Sequence, residues 1–540
     1  MAAKPTRRDV LGACAGLAVL PLLPGCESED GAGKEQAAPL PTYGWDGALG
    51  PEGMFAHGVA SGDPLTDRVI LWTRVTLPDA AAAAGEVSLF YEVASDIAFA
   101  TRVAAGESTA TSLRDWTCKV DATGLEAGTT YYYRFWFQGR SSPIGRTRTL
   151  PSGVIERLRI AFCSCSNFGA GYFTGYRNIA LREDLDVVLH LGDYIYEYGS
   201  KPDSPRFAAP EHVCMTLDDY RQRYAAHRGD ADLQEAHRQH AFICVWDDHE
   251  SANNAWSGGS QAHKDDKDGP WADRKAAAWK AWSEWIPARV ADDGKIWRAF
   301  EFGDLCALWM LDTRLWGRAK QTTPSQKAIL EDPARSFLGP DQEAWLHAGL
   351  GASSAKWQVL GQQVMIAPLK LGAMPLNSDQ WDGYQATRDR LFAHVRKLDL
   401  DGFVVLTGDI HSSWANDLVE DSHDAKIYDS ATGKGSLGVE FVVPGITSGG
   451  LPGGATSEIV DLAREYNPHI RWAEVMRRGY CLLDVTPDAI QCDWWLLDGI
   501  DKPGMAESAA ASWRMQRGAP GLVLAEAAAP DRLSAPAPAP

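Results

Sequence analysis

One stretch constrains this chain more than any other: Val187-Val188-Leu189-His190-Leu191-Gly192-Asp193-Tyr194-Ile195-Tyr196-Glu197-Tyr198. The run Val187 to Leu191 is continuous rather than alternating, which predicts a strand covered on both faces, as in parallel α/β sheets. Gly192 lets the backbone turn at the strand end. Asp193 then falls at a carboxyl end, where open α/β sheets keep their ligands. A carboxylate there has one oxygen for each of two metal ions. Tyr196, three residues on, reaches the same place. A phenol titrates near pH ~10, so a phenolate ligand at neutral pH calls for a hard, highly charged ion, and ferric iron fits best. On this stretch alone, a buried strand followed by an aromatic turn is an equal reading.

Three further strand ends repeat the pattern. Leu158 to Phe162 runs into Cys163-Ser164-Cys165-Ser166-Asn167. Ala241 to Trp246 runs into Asp247-Asp248-His249-Glu250, and Phe403 to Thr407 into Gly408-Asp409-Ile410-His411-Ser412-Ser413. Side by side in a sheet, these ends gather Cys165, Asp193, Tyr196, Asp248, His249, Asp409 and His411, a set suited to two metals with a shared carboxylate. Cys163 continues its strand and is expected in the core.

The 540 residues are 45% hydrophobic, enough for more than one domain and an ample core. The formal charge of −19 argues against nucleic acid as a partner and requires any phosphate site to be locally positive. The ten cysteines are scattered, without a CxxC pair or a disulfide framework.

Thr6-Arg7-Arg8-Asp9-Val10-Leu11 ahead of the apolar run Leu17 to Leu23 predicts a twin-arginine (Tat) export signal over residues 1–26. The Tat machinery is then a partner, and the run is too short to span a membrane stably. Leu23-Pro24-Gly25-Cys26 resembles a lipobox, making Cys26 a candidate lipid anchor. The expected location is periplasmic, secreted or anchored at the cell surface. Residues 27–44 read as a flexible linker. Residues 45–150 read as short strands separated by turns, and Leu125-Glu126-Ala127-Gly128-Thr129-Thr130 resembles the corner before a late strand of fibronectin III-like sandwiches. From 151 to 504 strands alternate with helices, among them Tyr172 to Glu183, a helix begun by Thr216 with Asp219 in a capping box, and 272–285. Residues 505–540 are an Ala/Pro-rich extension whose end is expected to be disordered.

Gly192-Asp193-x-x-Tyr196, Asp248-His249-Glu250 and Gly408-Asp409-x-His411 resemble the blocks GDxxY, GNHE and GHxH of purple acid phosphatases. Asp248 stands for their asparagine, Asp409 for a histidine and Cys165 for the first aspartate. These departures are similar to those of PhoD-type alkaline phosphatases, as are Gly192–Tyr198, Trp246–Glu250 with Asn253-Asn254, Trp381–Tyr384 and Gly408–Ser413. The resemblance spans about residues 50 to 500. It implies a multi-domain fold: an N-terminal all-β sandwich of fibronectin III/Ig-like type, then an α/β metallophosphatase domain, itself a β-sandwich flanked by helices. It implies that Cys165, Asp193, Tyr196 and His411 hold Fe(III), with Asp193 bridging. Asp248 and Asp409 would hold a second, hard ion such as Ca(II), with Asn253 or Asn254 beside or instead of Asp248.

The implied reaction is hydrolysis of small phosphate esters, monoesters and also diesters, by a metal-activated water. His249 would donate to the leaving oxygen or hold the phosphate. Arg221 and Arg223 are candidate phosphate clamps, against a solvated helix face. Trp381 and Tyr384 are candidates for the mouth of the site, against plain packing. The alternative class is a non-catalytic, metal-stabilised cell-surface binding protein, against which the intact ligand set argues. Redox use of the iron is disfavoured because tyrosinate holds iron as Fe(III).

Overall fold

Val187–His190 is a strand, and every residue in it is buried. Its two neighbours, Leu158–Cys163 and Ala241–Cys244, run parallel to it, so the continuous apolar run does lie inside a parallel sheet. The computed structural model describes residues 39–77, 85–372, 374–450 and 457–540. The expectations for residues 1–26, for Cys26 and for most of the linker lie outside the described residues. Residues 40–540 form one unit.

Two sheets face each other. The first has ten strands, in the order Leu522–Leu524, Glu507–Gln516, Ala489–Leu497, Gly479–Val485, Leu158–Cys163, Val187–His190, Ala241–Cys244, Val59–Gly62, Arg68–Arg74 and Thr117–Thr123. The second has seven: Arg298–Phe302, Cys306–Met310, Trp357–Gly361, Phe403–Thr407, Gly438–Val442, Ser413–Leu418 and Ile470–Glu474. Alternation along each strand splits the second sheet between two cores. Leu308, Val404 and Leu406 point inward to meet Ile160, Val188 and Phe242 of the first sheet. Trp309, Leu360 and Val405 point outward under the helices Pro340–Ala352 and Gln385–Leu398. Each such fully buried side chain contributes about 1.5–3 kcal/mol of transfer free energy. Helix Leu217–Arg228 begins at Thr216 with the anticipated capping box to Asp219, and helix Trp271–Trp285 packs against it.

The N-terminal β module has a five-stranded sheet of its own, built on Arg102–Thr111, Glu86–Ala94 and Thr130–Phe137. Its other layer is the edge of the ten-stranded sheet: Val59–Gly62 pairs in parallel with Ala241–Cys244, through Ser61 opposite Ala241. Val69, Leu71 and Val120 of that edge pack on Leu89, Val93 and Tyr133 of the smaller sheet. The module therefore shares a sheet with the rest of the protein.

Two expectations change. The end of the linker is packed, with Tyr43 stacked on Trp136 at 5.1 Å between centroids. The C-terminal extension is ordered. Glu507–Gln516 and Leu522–Leu524 add two strands to the large sheet. Beyond them, Tyr132 Oη donates to Ala537 O at 2.6 Å, Arg146 Nη1 to Pro536 O at 2.9 Å, and Ala539 N–H to Gln239 Oε1 at 2.9 Å. Composition misleads here because prolines fix φ in advance and leave carbonyls free for buried donors to hold.

Candidate metal centre

The four polar strand ends meet. Three groups of side chains have ligand atoms within 4.8 Å of one another: Cys165, Asp193 and His411; Asp193, Asp248 and His249; and Asp247, Asp248 and Asp409. Asp193 belongs to two of them. Its Oδ2 lies 3.5 Å from Cys165 Sγ and 3.1 Å from Tyr196 Oη, while its Oδ1 accepts the His249 backbone N–H at 3.2 Å. Tyr196 Oη is also 2.9 Å from His411 Nε2. The His249 ring stacks on Tyr196 at 4.2 Å, meets the Tyr198 ring edge-on at 4.9 Å, and holds Glu197 Oε2 through Nδ1 at 2.7 Å.

The backbone is forced at these ends. Cys165 (φ 57°), Asp193 (54°), Asp409 (62°) and His411 (55°) are left-handed although none is glycine, a conformation that costs on the order of 1 kcal/mol each and clusters at functional sites. Gly192 has φ 106°, and a Cβ there would come within 2.5 Å of the Asp247 side chain, so only glycine lets the two loops close together. Glu250 fixes the same turn, accepting the N–H groups of Asp193 (3.1 Å), Tyr194 (2.7 Å) and Asp247 (2.7 Å).

The electrostatics are those of a cation site. Asp193, Glu197, Asp247, Asp248, Glu250, Asp379 and Asp409 share this region with the buried cations Arg314 and Arg318 and with His249. Burial drives Asp193 and Asp247 well above the carboxylate range, Asp409 up to about 6 and Glu250 up to about 8. Burial and then the Asp193 charge push the Cys165 thiol and the Tyr196 phenol well up. Burial pulls His411 down to about 3, leaving a neutral imidazole. For His249 burial also pulls downward, but Glu197, Asp248 and Asp193 outweigh it and raise it. Asp247 Oδ2 and Asp248 Oδ1 are buried without a hydrogen-bond partner. Multivalent cations would let these acids ionise together, so the donor set fits metal ions.

The model of the PhoD-like phosphatase matches residues 160–494, and that of the PhoD-like phosphatase N-terminal domain matches residues 47–151. The chain belongs to the PhoD-like phosphatase family. Its relatives include alkaline phosphatase D of Bacillus subtilis, 37% identical over 494 residues, covering 87% of this chain and 82% of the relative. A solved structure of PhoD, at 36% identity, superposes with a TM-score of 0.80 over 88% of this chain and 92% of that one. Purple acid phosphatase PPD1 from yellow lupin, at 13% identity, shares the fold with a TM-score of 0.54, covering 85% of this chain and 74% of that one. As a PhoD-like phosphatase, the chain is a phosphoric ester hydrolase.

In this PhoD-like phosphatase the other candidates lie elsewhere. Asn254 gives its N–H to Asp248 Oδ2 at 2.5 Å while its side chain donates to Gln261; the Asn253 side chain accepts from Tyr198 Oη at 2.9 Å. Arg223 is buried and donates to the carbonyls of Tyr196, Tyr198, Ala209 and Pro210, so it braces the Asp193 loop and is neither a clamp nor a solvated residue. Arg221 pairs with Glu284 at 2.7 Å. Trp381 and Tyr384 are fully buried and line no mouth. Cys163 is in the core. Arg314 was not among the candidates. It binds Asp247, Asp379 (2.6 Å) and Asp409 (3.0 Å), and lies 3.8 Å from Asp248. The strand-end rule, applied to Cys306–Met310 and the following Asp312-Thr313-Arg314, finds it; nothing in the sequence marks Asp379.

Proposed function

We propose that the chain is an exported, metal-dependent phosphoesterase that cleaves phosphomonoesters and phosphodiesters at a centre of the Fe(III)/Ca(II) type. Cys165, Asp193, Tyr196 and His411 would hold Fe(III), and Asp193, Asp248 and Asp409 the second ion. The observation that carries this reading is Asp193, which belongs to two of the three groups of ligand atoms, with Oδ2 turned to Cys165 and Tyr196. Bound ions would neutralise phosphate charge and acidify the attacking water. His249 is fixed through Nδ1 by Glu197 and between two tyrosine rings, which leaves Nε2 as the atom that hands a proton to the leaving oxygen.

A tyrosinate on Fe(III) gives a visible charge-transfer band, so the purified protein should be coloured and contain iron by elemental analysis. Tyr196→Phe should lose or strongly shift the band. A colourless, iron-free and fully active protein would overturn the ion assignment.

Export rests on Arg7 and Arg8. Replacing both by lysine keeps the charge and should strand the protein in the cytoplasm; normal export of that variant would refute the Tat signal. The lipid anchor at Cys26 belongs to the same reading. The division near residue 150 and the fibronectin III-like character of residues 45–150 are supported by Tyr131, whose Oη accepts the Glu126 N–H at 2.9 Å, the hydrogen bond of a tyrosine corner. Expressing residues 45–150 alone tests both: a cooperative melt supports them, and an unfolded fragment counts against an autonomous domain.

A further inference from the structure

The His249 imidazole has three ring and hydrogen-bond partners: Glu197, Tyr196 and Tyr198. Glu197 and Tyr196 are buried, whereas Tyr198 is 40% exposed. Cys165, Asp193 and Asp248 are buried as well. Tyr198 is therefore the ring beside which an ester reaches the imidazole from solvent. A single exposed aromatic ring is ordinary on a protein surface, but this one is held at both ends. Its Oη donates to Asn253 Oδ1 at 2.9 Å. The Asn253 N–H is held by Glu197 Oε1 at 2.7 Å, and the other oxygen of that carboxylate holds His249 Nδ1 at 2.7 Å. At its other end the Tyr198 ring meets the imidazole edge-to-face, with 4.9 Å between centroids. One buried carboxylate thus fixes the spacing between a proton donor and an exposed aromatic surface. A tyrosine ring has few torsions to freeze, and these are restrained before any substrate arrives.

Tyr196 and Tyr198 also line a cavity of about 320 Å³, room for a single ring and a short linker. Its charged groups do not single out an ionic ligand. Lys201 and Asp203 are both in the lining, both exposed, and opposite in sign. Arg223 gives its N–H groups to the carbonyls of Tyr196, Tyr198, Ala209 and Pro210, so its charge is engaged by the chain. His227 is neutral, because burial pulls it down to about 3. What distinguishes this side of the site is the fixed, half-open face of Tyr198.

We propose that Tyr198 sets specificity for the leaving alcohol, favouring phosphate esters whose alcohol carries an uncharged aromatic ring. That specificity presupposes the phosphoesterase reading above, with His249 as proton donor. The leaving oxygen then lies within hydrogen-bond reach of His249 Nε2. A ring one short linker beyond that oxygen meets the exposed face of Tyr198. Offset or edge-to-face pairing of the two rings adds to the apolar area they bury. A small saturated alcohol makes no such pair. Tyr198 itself touches no reacting atom, so it discriminates between esters without taking part in the bond change.

The test compares 3-phenylpropyl phosphate with propyl phosphate on the full-length, metal-loaded protein. Both leave as primary alcohols of similar basicity, so His249 serves them alike and the ring is the difference. In the wild type the ratio of kcat/KM values should favour the phenyl ester about tenfold, mainly through KM. Tyr198→Ala should lower that ratio about threefold to tenfold. Tyr198→Phe, which keeps the ring and gives up the Asn253 bond, should retain most of it. The non-hydrolysable 3-phenylpropylphosphonate and propylphosphonate, titrated by calorimetry, should show the same preference and the same loss without turnover. A wild-type ratio near one overturns the specificity, whatever the variants do, and leaves the phosphoesterase reading intact. Equal losses on both esters in Tyr198→Ala also overturn it, since Tyr198 would then only support His249. Hydrolysis of neither ester by the metal-loaded wild type would sink the phosphoesterase reading and this specificity with it.

Discussion

The two ends of the same parallel strands use the same residue types to opposite effect. At the amino ends, Arg159 pairs with Asp184 at 3.2 Å, Arg157 with Asp484 at 2.6 Å and Arg148 with Asp186 at 3.2 Å. Arg532, from the C-terminal extension, adds a further pair to Asp186 and takes Asp184 Oδ2 on its backbone N–H at 2.8 Å. Asp531 also reaches Arg159, so four acids meet four arginines. At the carboxyl ends, seven acids meet two arginines and a histidine, and four residues there hold left-handed backbone. A balanced set of charges is a fastening. A surplus of one sign held in place by strained backbone is a binding site, because the imbalance persists only if something outside the chain corrects it.

That contrast can be broken at either end. The largest effect belongs to the carboxyl ends. His249→Ala should cost about 10²–10⁴-fold in kcat on alkyl phosphates, whose leaving groups need a proton. It should cost clearly less on a nitrophenyl ester, which leaves as a stable anion. Equal losses on the two substrates would mean that His249 binds phosphate instead. At the amino ends, Arg532→Ala should leave kcat within twofold and lower stability by roughly 1–3 kcal/mol, read as a melting temperature lower by a few degrees. A variant that melts normally but loses turnover would dissolve the distinction between the two ends.

The smallest effect is in pH. With metal chelated, Asp409 at about 6 and Glu250 at about 8 keep protons in the folded state that the unfolded chain has released. A folded value raised above the unfolded one gives stability that is full below about pH 4 and lost as pH rises through about 6 to 8. Buried histidines such as His190, His227 and His240, held down at about 3, push the whole protein's profile the other way, so the acids are read against Asp409→Asn: relative to that variant, the chelated wild type should melt a degree or two lower at pH ~8 than at pH ~5. The same profile in the wild type and in Asp409→Asn would show that the acid surplus is not felt by the fold.

The sequence carried the strand ends well because period and punctuation are local: an apolar run, a glycine, a polar residue. Cys165, Asp193, Tyr196, Asp248, His249, Asp409 and His411 all follow from that rule, and the structure brings all seven together. What stayed hidden was decided by distant partners. Arg223 looks like a surface residue of a helix until the carbonyls of the Asp193 loop close over it. Asp379 sits in a loop with no periodic signal and becomes part of the cluster only through Arg314 and Arg318. The sharing of a sheet between Val59–Gly62 and Ala241–Cys244 could not be read either, since nothing in a four-residue strand names a partner about 180 residues away. The order of the C-terminal extension is hidden because composition reports what a segment lacks and not what holds it.

The strand Leu158–Cys163 has Val187–His190 on one side and Gly479–Val485 on the other. The first neighbour is made almost at once; the second is separated from it by more than three hundred residues of synthesis. Throughout that interval the growing chain presents an unpaired β-edge that is apolar but for Arg159, the kind of surface that invites pairing with another molecule. Closing it late also means closing a very long loop, which slows folding. Production of this protein should therefore be limited less by the stability of the finished molecule than by how well that edge is shielded during translation, and holdase chaperones should raise its yield more than lower growth temperature does.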